Sequence, residues 1–132
     1  MREQDKSAKS KAIIDRIANE RGFVREWPRL LGERDPDCME HIHNLTMHVL
    51  HDRKSLPSKT KEIILICLNA FDYYEFGFRV HVRSALKCGA TEEELLEALE
   101  VVGIQKLHCL TSMLPVLDEE IRRFKENAAS TA

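Results

Sequence analysis

LPSKTKEIILICLNAFDYYEFGFRVHVRSALKCGATEEEL, residues 56–95, decides the fold. Pro57 suits a first helical position, because its fixed φ and missing N–H cost nothing there. The apolar run Ile63–Leu68 that follows wants burial on nearly all sides. A second helix is expected over roughly residues 73–87, where a turn of about 100° per residue sets Tyr74, Gly77, Phe78, His81, Ala85 and Cys88 on one face. Arg79, Arg83 and Lys87 fall off that face. If the helices fold back near Phe71 and Asp72, residues equidistant from the turn lie level with each other. Glu62 and His81 form one such rung, roughly 14 Å along each helix, with Ile66 and Gly77, then Asn69 and Tyr74, as the next rungs. Gly77 lets the two backbones approach closely.

A carboxylate is costly to bury alone, so a glutamate and a histidine on facing inward stripes should share a hydrogen bond and a proton. Such a pair serves either as a satisfied core contact or as a proton relay. The spacing is compatible with both.

Composition narrows the function classes. With 132 residues and 43% apolar content, the chain is expected to form a single helical domain over residues 11–126, with flexible ends at 1–10 and 127–132. Twenty basic against 22 acidic side chains leave a formal charge of −2 and no basic segment, which argues against nucleic acid as a partner. The longest apolar runs are far shorter than the ~20 residues of a bilayer-spanning helix, and no signal-peptide core precedes them. The expectation is a cytoplasmic protein with no membrane partner. Cys38, Cys67, Cys88 and Cys109 lie too far apart for a zinc knuckle or a dithiol motif and are expected to be free. Cys88, at the end of the His81 stripe, is the one thiol with a redox candidacy. No glycine-rich phosphate loop, GxSxG, HExxH or EF-hand sequence is present.

The flanking segments read as helices. Ile13, Ile14 and Ile17 give a first helix from about Ser10 to Arg21, closed by Gly22, and Phe23, Val24 and Trp27 then cross a loop. Asp35 and Pro36 start a helix to about His51, with Met39, Ile42, Leu45, Val49 and Leu50 as its expected buried arc. His41, His48 and His51 cluster on the other side. A solvated face is preferred there over a metal site, and His43 lies off the cluster. Thr91 and Glu94 form an expected capping box, Gly103 an expected break, and the last helix is expected from about Gln105 to Glu126. His108 on that helix is a candidate to reach the His81 pocket.

The order of these features resembles the carboxymuconolactone decarboxylase family, which includes the AhpD-type proteins. The resemblance covers about residues 56–117 and rests on LPSKTKEI at 56–63, HVRSALKCGATEEELLEAL at 81–99 and LPVL at 114–117. It implies an all-α, AhpD-like fold of five to six helices, assembled as trimers or hexamers with sites near subunit contacts. In the thiol-active branch a CxxC lies one helical turn before the motif histidine and a glutamate upstream completes a relay. Here those positions hold Tyr74, Gly77, His81 and Glu62, so the relay residues are present and the thiols are not. The lactone decarboxylase branch usually has a glutamate at the position of Gly77, and the nearby Glu75 is displaced from it.

The leading expectation is therefore a cofactor-free, metal-free lyase or isomerase acting on a small carboxylated substrate. His81 and Glu62 are the catalytic candidates, and Tyr74, Gly77, Phe78 and His108 the substrate-binding ones. The alternatives are peroxidase-like thiol chemistry through Cys88, Cys109 or Cys67, and a small-ligand binding or assembly protein without catalysis.

Overall fold

The computed structural model describes residues 2–131 and contains no strand among them. The chain divides into two compact units, Met1–Leu56 and Pro57–Ala132. The first holds α1 (Glu3–Arg21), α2 (Glu26–Arg34), α3 (Pro36–Met47) and a π-helical turn, His48–Asp52. The second holds α4 (Ser58–Phe71), α5 (Glu75–Lys87), α6 (Glu92–Gln105) and α7 (His108–Thr131). The fold is all-α among the described residues.

Several boundaries depart from the sequence reading. α1 starts at Glu3 rather than near Ser10, and α7 continues through the NAASTA segment to Thr131. Met1 and Ala132, the outermost residues of the stretches expected to be flexible, lie outside the described residues. Trp27 and Pro28 belong to α2 rather than to a loop, since a proline in the first helical turn removes an N–H that has no intrahelical acceptor. α6 passes through Gly103 to Gln105, and the chain turns instead at Lys106 and Leu107. A lone glycine lowers helix stability by only about 1 kcal/mol, which the rest of α6 absorbs.

In the first unit, Ile13, Ile17 and Met39 are buried, with Ile14, Val24 and Leu31 packed against them. Asp35 accepts the Cys38 N–H at 3.0 Å and Pro36 occupies N1, so α3 starts where its sequence signal lies. Its inward face is rotated from the expected arc. Met39 and His43 are buried, while Ile42, Leu45 and Val49 are exposed. An imidazole supplied with a hydrogen-bond partner can take an inward position that apolar counting assigns to leucine or valine.

In the second unit, α4 and α5 form an antiparallel hairpin, and α6 packs on α4. The turn uses Tyr73 at φ 54°, and the Tyr74 N–H donates to the Asn69 carbonyl at 2.8 Å. Gly89, at φ 88°, ends α5 in a left-handed conformation open to glycine. Ile66 is 1% exposed and clusters with Ala85 and Ala90, against which Phe78, Val82 and Leu95 pack. The α4 run is not buried on all sides, as the sequence reading had it, because Ile64 and Leu68 point outward. Ile66→Ala is expected to destabilise the unit by about 2–5 kcal/mol, since the rigid hairpin cannot close the cavity. A shift in the urea midpoint at constant slope would measure it.

α6 is tied down at its start. Thr91 Oγ1 accepts the Glu94 N–H at 3.1 Å, and Glu94 accepts the Thr91 N–H at 2.9 Å and the Lys59 ammonium at 3.0 Å. The Thr91 N–H, then Lys59, holds the Glu94 carboxyl below the ordinary carboxylate range. A lowered folded-state value gives stability that is present above the ordinary value of 4.5 and lost as pH falls through the folded one. Acid unfolding of the wild type should therefore steepen below about pH 4.5, and Glu94→Gln should flatten that limb. Melting temperature followed from pH 7 to pH 3 would show whether the two proteins converge.

Candidate active site

Two helices build the site, each contributing one polar group. Glu62 lies in the second turn of α4 and His81 in the middle of α5, and Glu62 Oε2 is 2.7 Å from His81 Nδ1. The side chains are 21% and 18% exposed, which places the pair at the edge of the apolar core and in reach of solvent. An ionised carboxylate can only accept a hydrogen bond, so against ionised Glu62 the Nδ1 donates and Nε2 is the ring nitrogen not used in the contact.

Close packing surrounds the pair on the turn side. Gly77 is buried one helical turn before His81, and a Cβ there would stand 2.8 Å from the Asn69 amide nitrogen and 2.8 Å from the Tyr74 ring. Asn69 thus fills the space that a side chain at 77 would need. An open groove of about 510 Å³ lies beyond it, lined by Asn69, Ala70, Tyr73, Tyr74, Phe78 and Leu99 together with Glu75. Tyr74 and Phe78 share the α5 face with His81, so the groove ends about one helical turn short of the pair. Neither Glu62 nor His81 lines it. Lys106 stands over the Phe71 ring at 3.7 Å and pins the end of α6 to the hairpin turn.

The other sequence candidates fall elsewhere. His108 is exposed at the first position of α7 and does not line the groove. Cys88 and Cys109 are exposed free thiols, and Cys67 is a half-buried one whose Sγ lies 3.9 Å from the Ala98 carbonyl. Burial pushes the Cys67 thiol up, which leaves little thiolate near neutral pH. Arg79 bonds Glu75 at 2.6 Å, and Arg83 is exposed. His41, His48 and His51 are exposed, and no group of three His, Cys, Asp or Glu side chains able to hold a metal occurs among the described residues.

One pair was missed by sequence reasoning. His43 is 2% exposed, and its Nε2 lies 2.8 Å from Glu20 Oε2. The available signal was the placement of His43 one turn after Met39 on the same face, opposite the end of α1.

The antiparallel α4–α5 hairpin belongs to an all-α fold of AhpD-like type. The chain belongs to the carboxymuconolactone decarboxylase family, whose model matches residues 36–106, just over half of its length. Among solved structures, a candidate gamma-carboxymuconolactone decarboxylase subunit from Burkholderia xenovorans is similar, with a TM-score of 0.66 and 28% identity. The match covers 87% of this chain and 47% of that one, so this chain spans about half the length of that relative. The alkylhydroperoxidase AhpD core from Rhodospirillum rubrum has a TM-score of 0.65 at 24% identity over 81% of each chain, a likeness of fold. No match is found among curated proteins. No helix among the described residues is long and apolar enough to cross a membrane.

Proposed function

We propose that this protein is a cofactor-free lyase or isomerase that moves a proton on a small carboxylated substrate, with His81 as the acid–base group and Glu62 as its positioning partner. The observation that carries the reading is the 2.7 Å contact between Glu62 and His81. Decarboxylation of a conjugated lactone acid, the chemistry in the family's name, breaks the bond between the carboxylate carbon and the ring. Carbon dioxide leaves, the electron pair stays behind as an enolate, and a proton must then be delivered to carbon. Imidazole is suited to that delivery because it changes charge near neutral pH. Glu62 would orient the ring and offset the positive charge of the protonated form. Tyr74 and Phe78 supply an aromatic wall, and Arg83 of a neighbouring copy is the cation we assign to the substrate carboxylate. Assaying carbon dioxide release from gamma-carboxymuconolactone by wild type and a His81 variant tests this directly.

A second reading, small-ligand binding without turnover, is favoured by the gap between the groove and the pair. It requires that small carboxylic acids raise the melting temperature while the wild type shows no turnover.

Self-association is part of the same proposal. Leu110, Leu114, Leu117, Ile121 and Phe124 are all exposed along α7, Phe124 at 75%, and α7 makes no extensive contact with another helix of its unit. Their alternating spacing of four and three residues is that of a coiled-coil seam. A second copy of α7, parallel to the first, is the occupant we assign to it.

A further inference from the structure

The first unit carries a buried imidazole that the proposed activity does not use. His43 is 2% exposed, and its Nε2 lies 2.8 Å from Glu20 Oε2. Arg16, which bonds the other Glu20 oxygen at 2.9 Å, and then His43 hold that carboxyl below the usual carboxylate range. A carboxylate only accepts, so Nε2 is the donor in this contact.

The second ring nitrogen is left for something else. Among the described residues Nδ1 has no hydrogen-bond partner, and no unpartnered side-chain nitrogen or oxygen is sealed from solvent. Nδ1 is therefore reached by solvent although the ring is nearly enclosed. The space that His43 borders is a cavity of about 80 Å³. Ile17 and Met39, from the buried core of the unit, line it together with the half-exposed ring of Trp27. Arg21 and Arg25 line it as well, and Arg25 already has a partner. Thr46, three residues after His43 on the same face of α3, is its uncharged polar group. The Thr46 hydroxyl donates to the Ile42 carbonyl at 2.9 Å, so what its oxygen has left is accepting capacity.

We infer that this cavity binds a small aliphatic alcohol, with its hydroxyl at His43 Nδ1 and Thr46 Oγ1 and its chain against Ile17, Met39 and Trp27. A hydroxyl both donates and accepts, so it satisfies the imidazole nitrogen in either charge state, which a purely accepting group does not. An apolar cavity of roughly 150 Å³ holds benzene, so about 80 Å³ sets the guest near three or four non-hydrogen atoms. Apolar walls with a few convergent polar groups are the usual make-up of a small-molecule site. Every lining residue belongs to the first unit, and neither Glu62 nor His81 takes part.

Trp27 is the only tryptophan in the chain, so its indole N–H gives a single nuclear magnetic resonance signal from the cavity wall. Titrating the isotope-labelled full chain with n-propanol should move that signal along a saturable curve with a midpoint on the order of 10 mM. The His43 ring nitrogens should shift with the same midpoint. Propionitrile, equal in size but lacking an O–H, should bind about fivefold more weakly, the size of one neutral hydrogen bond. Thr46→Val should weaken n-propanol by a similar factor, and His43→Gln by at least as much. Should His43→Gln melt early, Thr46→Val decides alone, since the Thr46 hydroxyl bonds only within its own helix. A drift without a plateau would overturn the proposal, as would an equal response to propionitrile or an unchanged midpoint in folded Thr46→Val.

Discussion

Replacing His81 by alanine should lower turnover at least a hundredfold, with helix content and melting temperature near those of the wild type. The size follows from what a positioned acid–base group contributes, about 10²–10⁴-fold. The structural tolerance follows from partial exposure. At 18% exposed, His81 is not enclosed, and water can reach Glu62 when the ring is removed. Glu62→Gln should have a smaller effect, because glutamine keeps a hydrogen bond to the ring while removing the charge that favours its protonated form. An unfolded or aggregated His81→Ala protein would mean that the pair is a structural fastener, and a folded variant with full turnover would place the chemistry elsewhere. Circular dichroism and sedimentation beside the activity assay separate these outcomes.

The contact between these residues was legible because a hairpin converts sequence distance into height. Once Phe71 and Asp72 are taken as the turn, Glu62 and His81 must share a rung, and the same arithmetic brings Asn69 against Tyr74, whereas the approach of the Asn69 side chain to Gly77, a residue expected opposite Ile66, emerges only in the structure. Caps were legible for a related reason. Asp35 with Pro36 and Thr91 with Glu94 act through local hydrogen bonds that need no tertiary context. What depends on partners was less visible. The α3 face was misassigned because His43 gains its inward place from Glu20, on another helix, and a hydrophobicity pattern carries no record of that partner. α2 was read as loop because Trp27 and Pro28 suppress a helical pattern that the packing of Gly32 against Ile14 supports. The expectation that Ile63–Leu68 would be enclosed exceeded what α5 and α6 alone can cover, which leaves Ile64 and Leu68 among the surfaces available to a neighbouring copy.

The double variant Leu117→Glu/Ile121→Glu is expected to convert an assembled protein into a monomer without unfolding either unit. A fully buried leucine or isoleucine side chain contributes about 1.5–3 kcal/mol, and association must first overcome about 4–15 kcal/mol of lost rigid-body freedom. A seam of five such residues per copy exceeds that cost by a modest margin, and two charges in its centre should remove the margin. The orientation is fixed by the flanking charges. In a parallel pairing Glu120 faces Lys125 of the second copy, whereas an antiparallel pairing of the same layers sets Asp118 against its own counterpart and Glu120 against its own. Lys125→Glu alone should therefore weaken assembly, and Glu120→Lys added to it should restore strength. Because the α7 side chains are exposed and contact little else in their unit, the monomer should keep the wild-type melting profile at low protein concentration. Sedimentation velocity across a hundredfold concentration range reads the result. A wild type that stays monomeric throughout would refute the seam, and an oligomer that survives both glutamates would move the interface to another face.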